Sequence, residues 1–191
     1  MKYATSRASA AILSVKRLLA GFARDRRGVS AVEFALLLPL MLSIYLGSIE
    51  VSQGISAQRK VTLTARSIAD LVAQVSSINN ADMTNSLNAA AAVMAPFSTD
   101  KLSVKISSIA IDGAGKATIA WSDALNGSGR TKGSSVTLPA ALVIPNSSLI
   151  WSEVQYSYKP TLGYMLTGTL ALKDQIYMRP RLSDSVTRIN S

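Results

Sequence analysis

Residues 24–56 read RDRRGVSAVEFALLLPLMLSIYLGSIEVSQGIS, and the fold turns on how this stretch is partitioned. From Phe34 to Ile49 there are sixteen residues without a charge. Extending the run to Ser56 admits only Glu50 and gives 23 residues, roughly 34 Å at the helical rise. A hydrocarbon core is ~30 Å thick, so a helix over 29–56 spans it with some tilt. Ser43, Gly47 and Ser48 are small enough for another helix to approach closely, and Pro39 loosens or kinks the helix. A secretory signal peptide also has a basic start, but its apolar run is shorter, and no A-x-A-like cleavage site follows Ile49. The run reads as a retained membrane helix.

Charge placement agrees. The 191-residue chain has 20 Lys+Arg and 11 Asp+Glu, a formal net charge of +9. Residues 1–28 hold Lys2, Arg7, Lys16, Arg17, Arg24, Arg26 and Arg27 against Asp25 alone, a net of +6. The remaining 163 residues carry only +3. Positive charge directly before an apolar run keeps that end in the cytoplasm. A nucleic-acid surface would instead spread its cations over a folded face with stacking aromatics, whereas the basic segment has only Tyr3 and Phe22. No nucleic-acid partner is expected.

The chain has no Cys and no His. That excludes disulfides, thiolate zinc sites, Cys nucleophiles and the usual neutral-pH general base. Gly113-Ala114-Gly115-Lys116-Ala117 lacks the first Gly and the Ser/Thr of a phosphate loop and reads as a hairpin turn. No two carboxylates stand at an acid–base spacing. The expectation is a non-enzyme with no cofactor, metal or small-molecule substrate.

Immediately before the apolar run stand Arg26-Arg27-Gly28-Val29-Ser30-Ala31-Val32-Glu33-Phe34. A carboxylate at the start of a membrane helix is costly in hydrocarbon unless paired, although the helix dipole favours it there. The bland reading of Glu33 is a headgroup-level helix start. The order basic lead-in, Gly28, four residues, Glu33-Phe34, a Leu-rich run with Pro39, then Glu50 and Arg66 resembles a type IV prepilin processing site. Over about residues 24–75 it is similar to the TadE-like family of minor pilins or pseudopilins of tight-adherence, Flp-type pilus assembly. Tyr156-Ser157-Tyr158-Lys159-Pro160 and Met178-Arg179-Pro180-Arg181 resemble it more loosely.

The resemblance implies cleavage between Gly28 and Val29 by a prepilin peptidase, with Arg24, Arg26 and Arg27 anchoring the leader at the cytoplasmic face. It implies that Glu33, beside Phe34, pairs with the new amine of a neighbouring subunit and sets helix register. The implied partners are lipid, the peptidase, other pilin or pseudopilin subunits and the pilus assembly platform. The implied place is the bacterial inner membrane, N-terminus cytoplasmic and C-terminal domain periplasmic, with possible incorporation into a pilus. The rival is a signal-anchored periplasmic binding or adhesin domain outside any filament.

Beyond the span the helical period continues. Val61, Ala65, Ile68, Val72 and Val75 are spaced 4, 3, 4 and 3, flanked by Leu71 and Ile78. This predicts one helix from about Val29 to Val75 and a second, Ala-rich helix over 81–94, stopped by Pro96. From Lys101 the period becomes two. Leu102, Val104 and Ile106 face one way, and a phase slip at Ser107-Ser108 before Ile109 and Ile111 suggests a bulge. A turn at 112–115 leads to a strand over 116–122 with Ala117, Ile119 and Trp121 on one side. Residues 126–135, NGSGRTKGSS, read as a flexible loop.

Further strands are expected near 135–143, over 149–159 (Ile150, Val154, Tyr156 and Tyr158 inward) and over 169–179 (Leu170, Leu172, Ile176 and Met178 inward). Tyr156, Tyr158, Tyr164 and Tyr177 read as half-buried sheet positions rather than a binding patch. The fold class is α+β: a long membrane-spanning helix continuing as an amphipathic helix packed on a small antiparallel sheet, as in pilins. The expected organisation is a 1–28 leader, a 29–56 span, a 57–96 helical region and a 97–191 periplasmic sheet domain.

Overall fold

In the computed structural model, which describes Gly21, residues 27–160, Gly163 and residues 168–189, helix α1 runs Arg27–Ala73. Its Leu- and Ala-rich interior favours helix. Pro39 lies inside it, where it cannot donate to the carbonyl of Ala35. The Ser43 hydroxyl donates to the Pro39 carbonyl at 2.7 Å. The chain divides into two compact units, Met1–Leu46 and Gly47–Ser191. Strand β1, Ser77–Ile78, follows α1, and then helix α2, Asn80–Ala92. Asn79 caps α2 by accepting from the Asp82 N–H at 2.8 Å, and Asp82 complements the helix dipole.

The sheet comprises β2 (Leu102–Ile111), β3 (Ala117–Leu125), β4 (Ser147–Tyr158) and β5 (Leu170–Met178), ordered β3-β2-β4-β5 and antiparallel throughout. A short β6, Thr187–Arg188, pairs in parallel with β1. The expected α+β arrangement of a long apolar helix and a small antiparallel sheet is present. Val61, Ala65, Ile68 and Val72 are fully buried against Leu102, Val104, Ile106, Ile150 and Val154, with Met83, Leu87 and Met94 of α2 in the same core. Leu71, expected to flank that stripe, is 40% exposed; at 100° per residue it stands a quarter-turn off the buried face.

A second, smaller core occupies the opposite face of the sheet: Ile109, Ile111, Ala117, Ile119, Leu149 and Trp151. Its existence corrects several strand readings. The pairing of β2 with β4 runs unshifted from Leu102 to Ile111, so β2 contains no extra residue. Its apolar side chains change face because the buried face itself changes along the strand. The bulge lies in β3, where the register against β2 shifts and Ala120 is the extra residue. That insertion turns Trp121 away from Ala117 and Ile119 into the first core, where its indole N–H donates to the Val186 carbonyl at 2.7 Å.

The expected strand over 135–143 is also corrected. Only Ser135 bridges β3, at Thr118, and a 3-10 turn follows over Ala140–Leu142. Pro139 and Pro145 cannot donate to a ladder, so Val136, Leu138, Leu142 and Val143 pack over the second core as a covering segment. The loop before it is tied down. Arg130 donates from Nε and Nη2 to Glu153 at 2.9 and 2.8 Å and lies 4.0 Å over the Trp151 ring. Its backbone N–H donates to the Ser122 hydroxyl. In β5, Leu172, Ile176 and Met178 face the first core as read, but Leu170 is 38% exposed at the strand's beginning.

The C-terminal segment closes the fold. Arg188 donates to Asp123 from Nε and Nη2, to the Ile78 and Ile189 carbonyls from Nη1, and to Asn80 Oδ1 from Nη2. All five guanidinium N–H groups are engaged, a geometry that a lysine ammonium cannot reproduce. Arg188→Lys should destabilise the protein by about 3 kcal/mol, lowering Tm by roughly 6–12 °C in detergent-solubilised protein. An unchanged Tm would contradict this role.

Candidate functional site

The first candidate region is the beginning of α1, where Gly28, Val29, Glu33 and Phe34 lie in the helix and are solvent-exposed. A Cβ built on Gly28 meets no atom within 4 Å. Val29 and Glu33 are four residues apart, hence on one face one turn apart. Phe34 is 59% exposed. Arg27 begins the helix backbone; Arg24 and Arg26 lie outside the described residues, as does Tyr164. The Gly28–Val29 bond lies two residues into the described part of α1.

Every side chain from Gly28 to Leu42 is exposed, with Leu at 36, 37, 38, 40 and 42. The most apolar 18-residue window of the helix has a mean hydropathy of 2.0 and no buried residue. A helix that is apolar around its whole circumference needs an apolar surrounding, and this one is long enough to cross a membrane. A soluble amphipathic helix would show a polar face here.

The second region begins at Gly47, which is buried, as is Glu50 at 1% exposure. With Gly54 and Ala57 they continue the stripe of Val61, Ala65 and Ile68 at spacings of 3 and 4. The stripe thus reaches back into the stretch assigned from hydropathy to the span. Gly54 lies against the ring of Tyr158, 3.8 Å from where a Cβ would stand. Tyr158 is edge-on to Phe97, which also contacts Tyr156. Burial pushes the Tyr158 hydroxyl above its usual range, and the nearby Glu50 charge adds to the rise. Hydropathy alone treats Glu50 as a tolerated charge. Its flanking glycines, spaced three and four residues away, are the sequence signal of a close contact.

The tyrosines do not form one patch. Tyr156 and Tyr158 are buried in the first core, whereas Tyr177 stacks on Trp151 on the other face at 5.5 Å. Burial also raises Tyr156 and Tyr177. Among the described residues no group of three or more His, Cys, Asp or Glu side chains could hold a metal ion.

The sheet edges are partly occupied. On β5, Gln58 of α1 donates to the Lys173 carbonyl at 3.3 Å, and Thr62 donates to Asp174. Asp174 in turn accepts from the Gln175 N–H at 2.8 Å. These take a carbonyl and an N–H that point away from β4. On β3, the Gly133 N–H donates to Ile119, while the Ile119 and Val136 N–H groups donate to Ser134 and Ala117. Strand addition is thereby blunted.

These features define a class: a chain with, among the described residues, one N-terminal apolar helix able to cross a membrane, and a small α+β unit. Residues 28–70 match the family described as TadE-like protein, which bears out over those residues the resemblance read from 24–75 and suggests a component associated with tight-adherence pili. The match covers α1 almost end to end and none of the sheet. No curated protein and no solved structure matches the chain.

Among the described residues, the Tyr158, Thr64 and Ser152 hydroxyls are buried and have no hydrogen-bond partner, a situation that costs ~1–3 kcal/mol each. Tyr158→Phe should raise stability by about 1 kcal/mol near pH 7. Because the folded pKa of Tyr158 is raised, its stabilising share is complete below ~10 and is lost as pH climbs through the folded value. The wild type should therefore lose stability faster than Tyr158→Phe in urea melts above pH ~10; parallel curves would refute it. Gly54→Leu should drive a side chain into the Tyr158 ring and lower stability by about 2 kcal/mol in the same assay.

Proposed function

We propose that this chain is a minor pilin or pseudopilin: a non-enzymatic component anchored by α1 in the bacterial inner membrane, with its sheet unit periplasmic. The observation that carries the reading is that the TadE-like match coincides with a helix apolar on all sides over 28–42. Such a helix is stable in lipid and equally in a bundle of similar helices, so the same surface serves first for insertion and then for assembly. The guarded edges of β3 and β5 favour helix packing over strand exchange as the mode of association. Cleavage after Gly28 would remove the +6 leader and leave +3 over 163 residues, too weak a field for polyanion binding. Phe34 follows Glu33 into the apolar run and belongs to the same packing surface.

In this reading a prepilin peptidase reaches the Gly28 backbone, unobstructed by any side chain, while Arg24, Arg26 and Arg27 hold the leader at the anionic cytoplasmic surface. The new Val29 ammonium then meets Glu33 of a neighbouring pilin or pseudopilin subunit on the assembly platform. In low dielectric, removing one partner of such a pair leaves an uncompensated charge, which makes the pair a register device.

N-terminal sequencing of the stable form, combined with fractionation of sheared pili, tests this. The expected first residue is Val29. Recovery of Met1 or Lys2 would remove the processing step, and a processed chain confined to membranes with normal pili in its deletion strain would favour the adhesin-like rival. Glu33→Ala should leave membrane insertion unchanged but reduce co-purification with the pilin about tenfold, the equivalent of ~1.4 kcal/mol.

A further inference from the structure

Outside the buried stripe of α1, Val51, Ile55, Arg59 and Leu63 follow at four-residue steps and so form one ridge. Val51, Ile55 and Leu63 are 48%, 51% and 47% exposed. Arg66 stands beside the ridge two turns beyond Arg59, ~10.5 Å along the axis. A groove of about 310 Å³, lined by Gln58, Arg59, Thr62 and Leu63, runs along its flank. Arg130, Arg181 and Arg188 each hold a carboxylate. Among the described residues neither Arg59 nor Arg66 has an ion-pair partner. The ridge therefore offers apolar surface with two uncompensated guanidinium groups at a fixed separation.

We propose that this ridge docks an amphipathic helix of a different subunit, one carrying Asp or Glu seven residues apart with apolar residues between them. This deepens the pilin reading and rests on it for the partner's setting. Charge selects the occupant. A second copy does not fit: of the carboxylates on α1, Glu50 is buried, Asp70 pairs with Arg181, and Glu33 lies 26 residues before Arg59. Parallel self-packing would set Arg59 and Arg66 against their own counterparts. Like charges so placed repel, while a carboxylate-bearing helix gains two charge-assisted hydrogen bonds and covers the apolar ridge. The same arrangement makes the surface selective, because it rejects this chain as strongly as it accepts the partner.

The test uses the full chain in its native membranes, with the photo-crosslinking residue p-benzoylphenylalanine at position 63 and the captured peptide sequenced. The expected product is a helix with carboxylates at i and i+7. Arg59→Glu with Arg66→Glu should lower its yield at least tenfold, and replacing the two partner carboxylates by Lys should restore it. Lys60→Glu, at a neighbouring position outside the ridge, should leave the yield unchanged and controls for folding. Crosslinking to a second copy, to lipid alone or to a helix without the carboxylates would overturn the proposal, as would a yield indifferent to charge reversal. A chain present in sheared pili with such an indifferent yield defeats only this inference. A charge-sensitive crosslink in a chain absent from pili, with pili normal in its deletion strain, defeats only the pilin reading.

Discussion

The distance at which α1 can lie against the sheet is set by the residues at 54, 57, 61, 65, 68 and 72, and most other features of the second unit follow from it. Gly54, against the Tyr158 ring, and Ala57 bring the helix backbone close at one end, while Val61, Ile68 and Val72 fill the space further along. Close approach explains why the hydroxyls of Thr64 and Ser152 are enclosed with no partner among the described residues. It also brings Gln58 and Thr62 to the edge of β5, so the helix that covers the sheet's face guards its edge as well.

A sheet of four strands with only one covered face would leave half its side chains in water. Here α1 and α2 cover the face at the β2 end nearest Leu102, and the 126–146 segment covers the opposite face near Ile109. Changing the buried face within a strand requires the apolar pattern to jump by an odd number of residues. β2 makes the jump between Ile106 and Ile109 with its backbone pairing to β4 unbroken. β3 makes it with an inserted residue, Ala120. One physical demand is met by side-chain choice in one strand and by backbone geometry in its neighbour.

This contrast explains which parts were legible in the sequence. The long helix, the Ala-rich second helix and the strand pair 102–111 and 149–158 follow from periodicity and composition, because each has one dominant buried side. The family resemblance over residues 28–70 is legible because the Gly28-to-Phe34 residues stand in an order that ordinary membrane anchors do not need. A single period could not report a second core, so the Ser107-Ser108 slip was legible only as a bulge and Trp121 fell on the wrong side. Nor could composition show that Arg130 would pin NGSGRTKGSS to Glu153 and Trp151, since that contact joins residues 21 and more apart. Arg188, whose partners lie at 78, 80, 123 and 189, is invisible to any local pattern.

The two carboxylates of α1 that flank the apolar run face opposite demands. Glu33 is exposed on α1, six residues past Arg27 and beyond the first turn, so the helix dipole does little for its charge. Glu50 is enclosed beside Tyr158, in a site that the small residues around it make possible. Between them lie sixteen residues with no charge at all, so any axial sliding of this helix in an apolar surrounding drags one carboxylate or the other into hydrocarbon. In the proposed membrane placement, a carboxylate at each end would leave the helix few depths that keep both out of hydrocarbon. A Leu-rich segment alone would tolerate many depths, and an assembly built on it would have no fixed register. On the proposed membrane reading, the two glutamates would limit how the apolar helix can be placed, and the leucines between them would favour that placement.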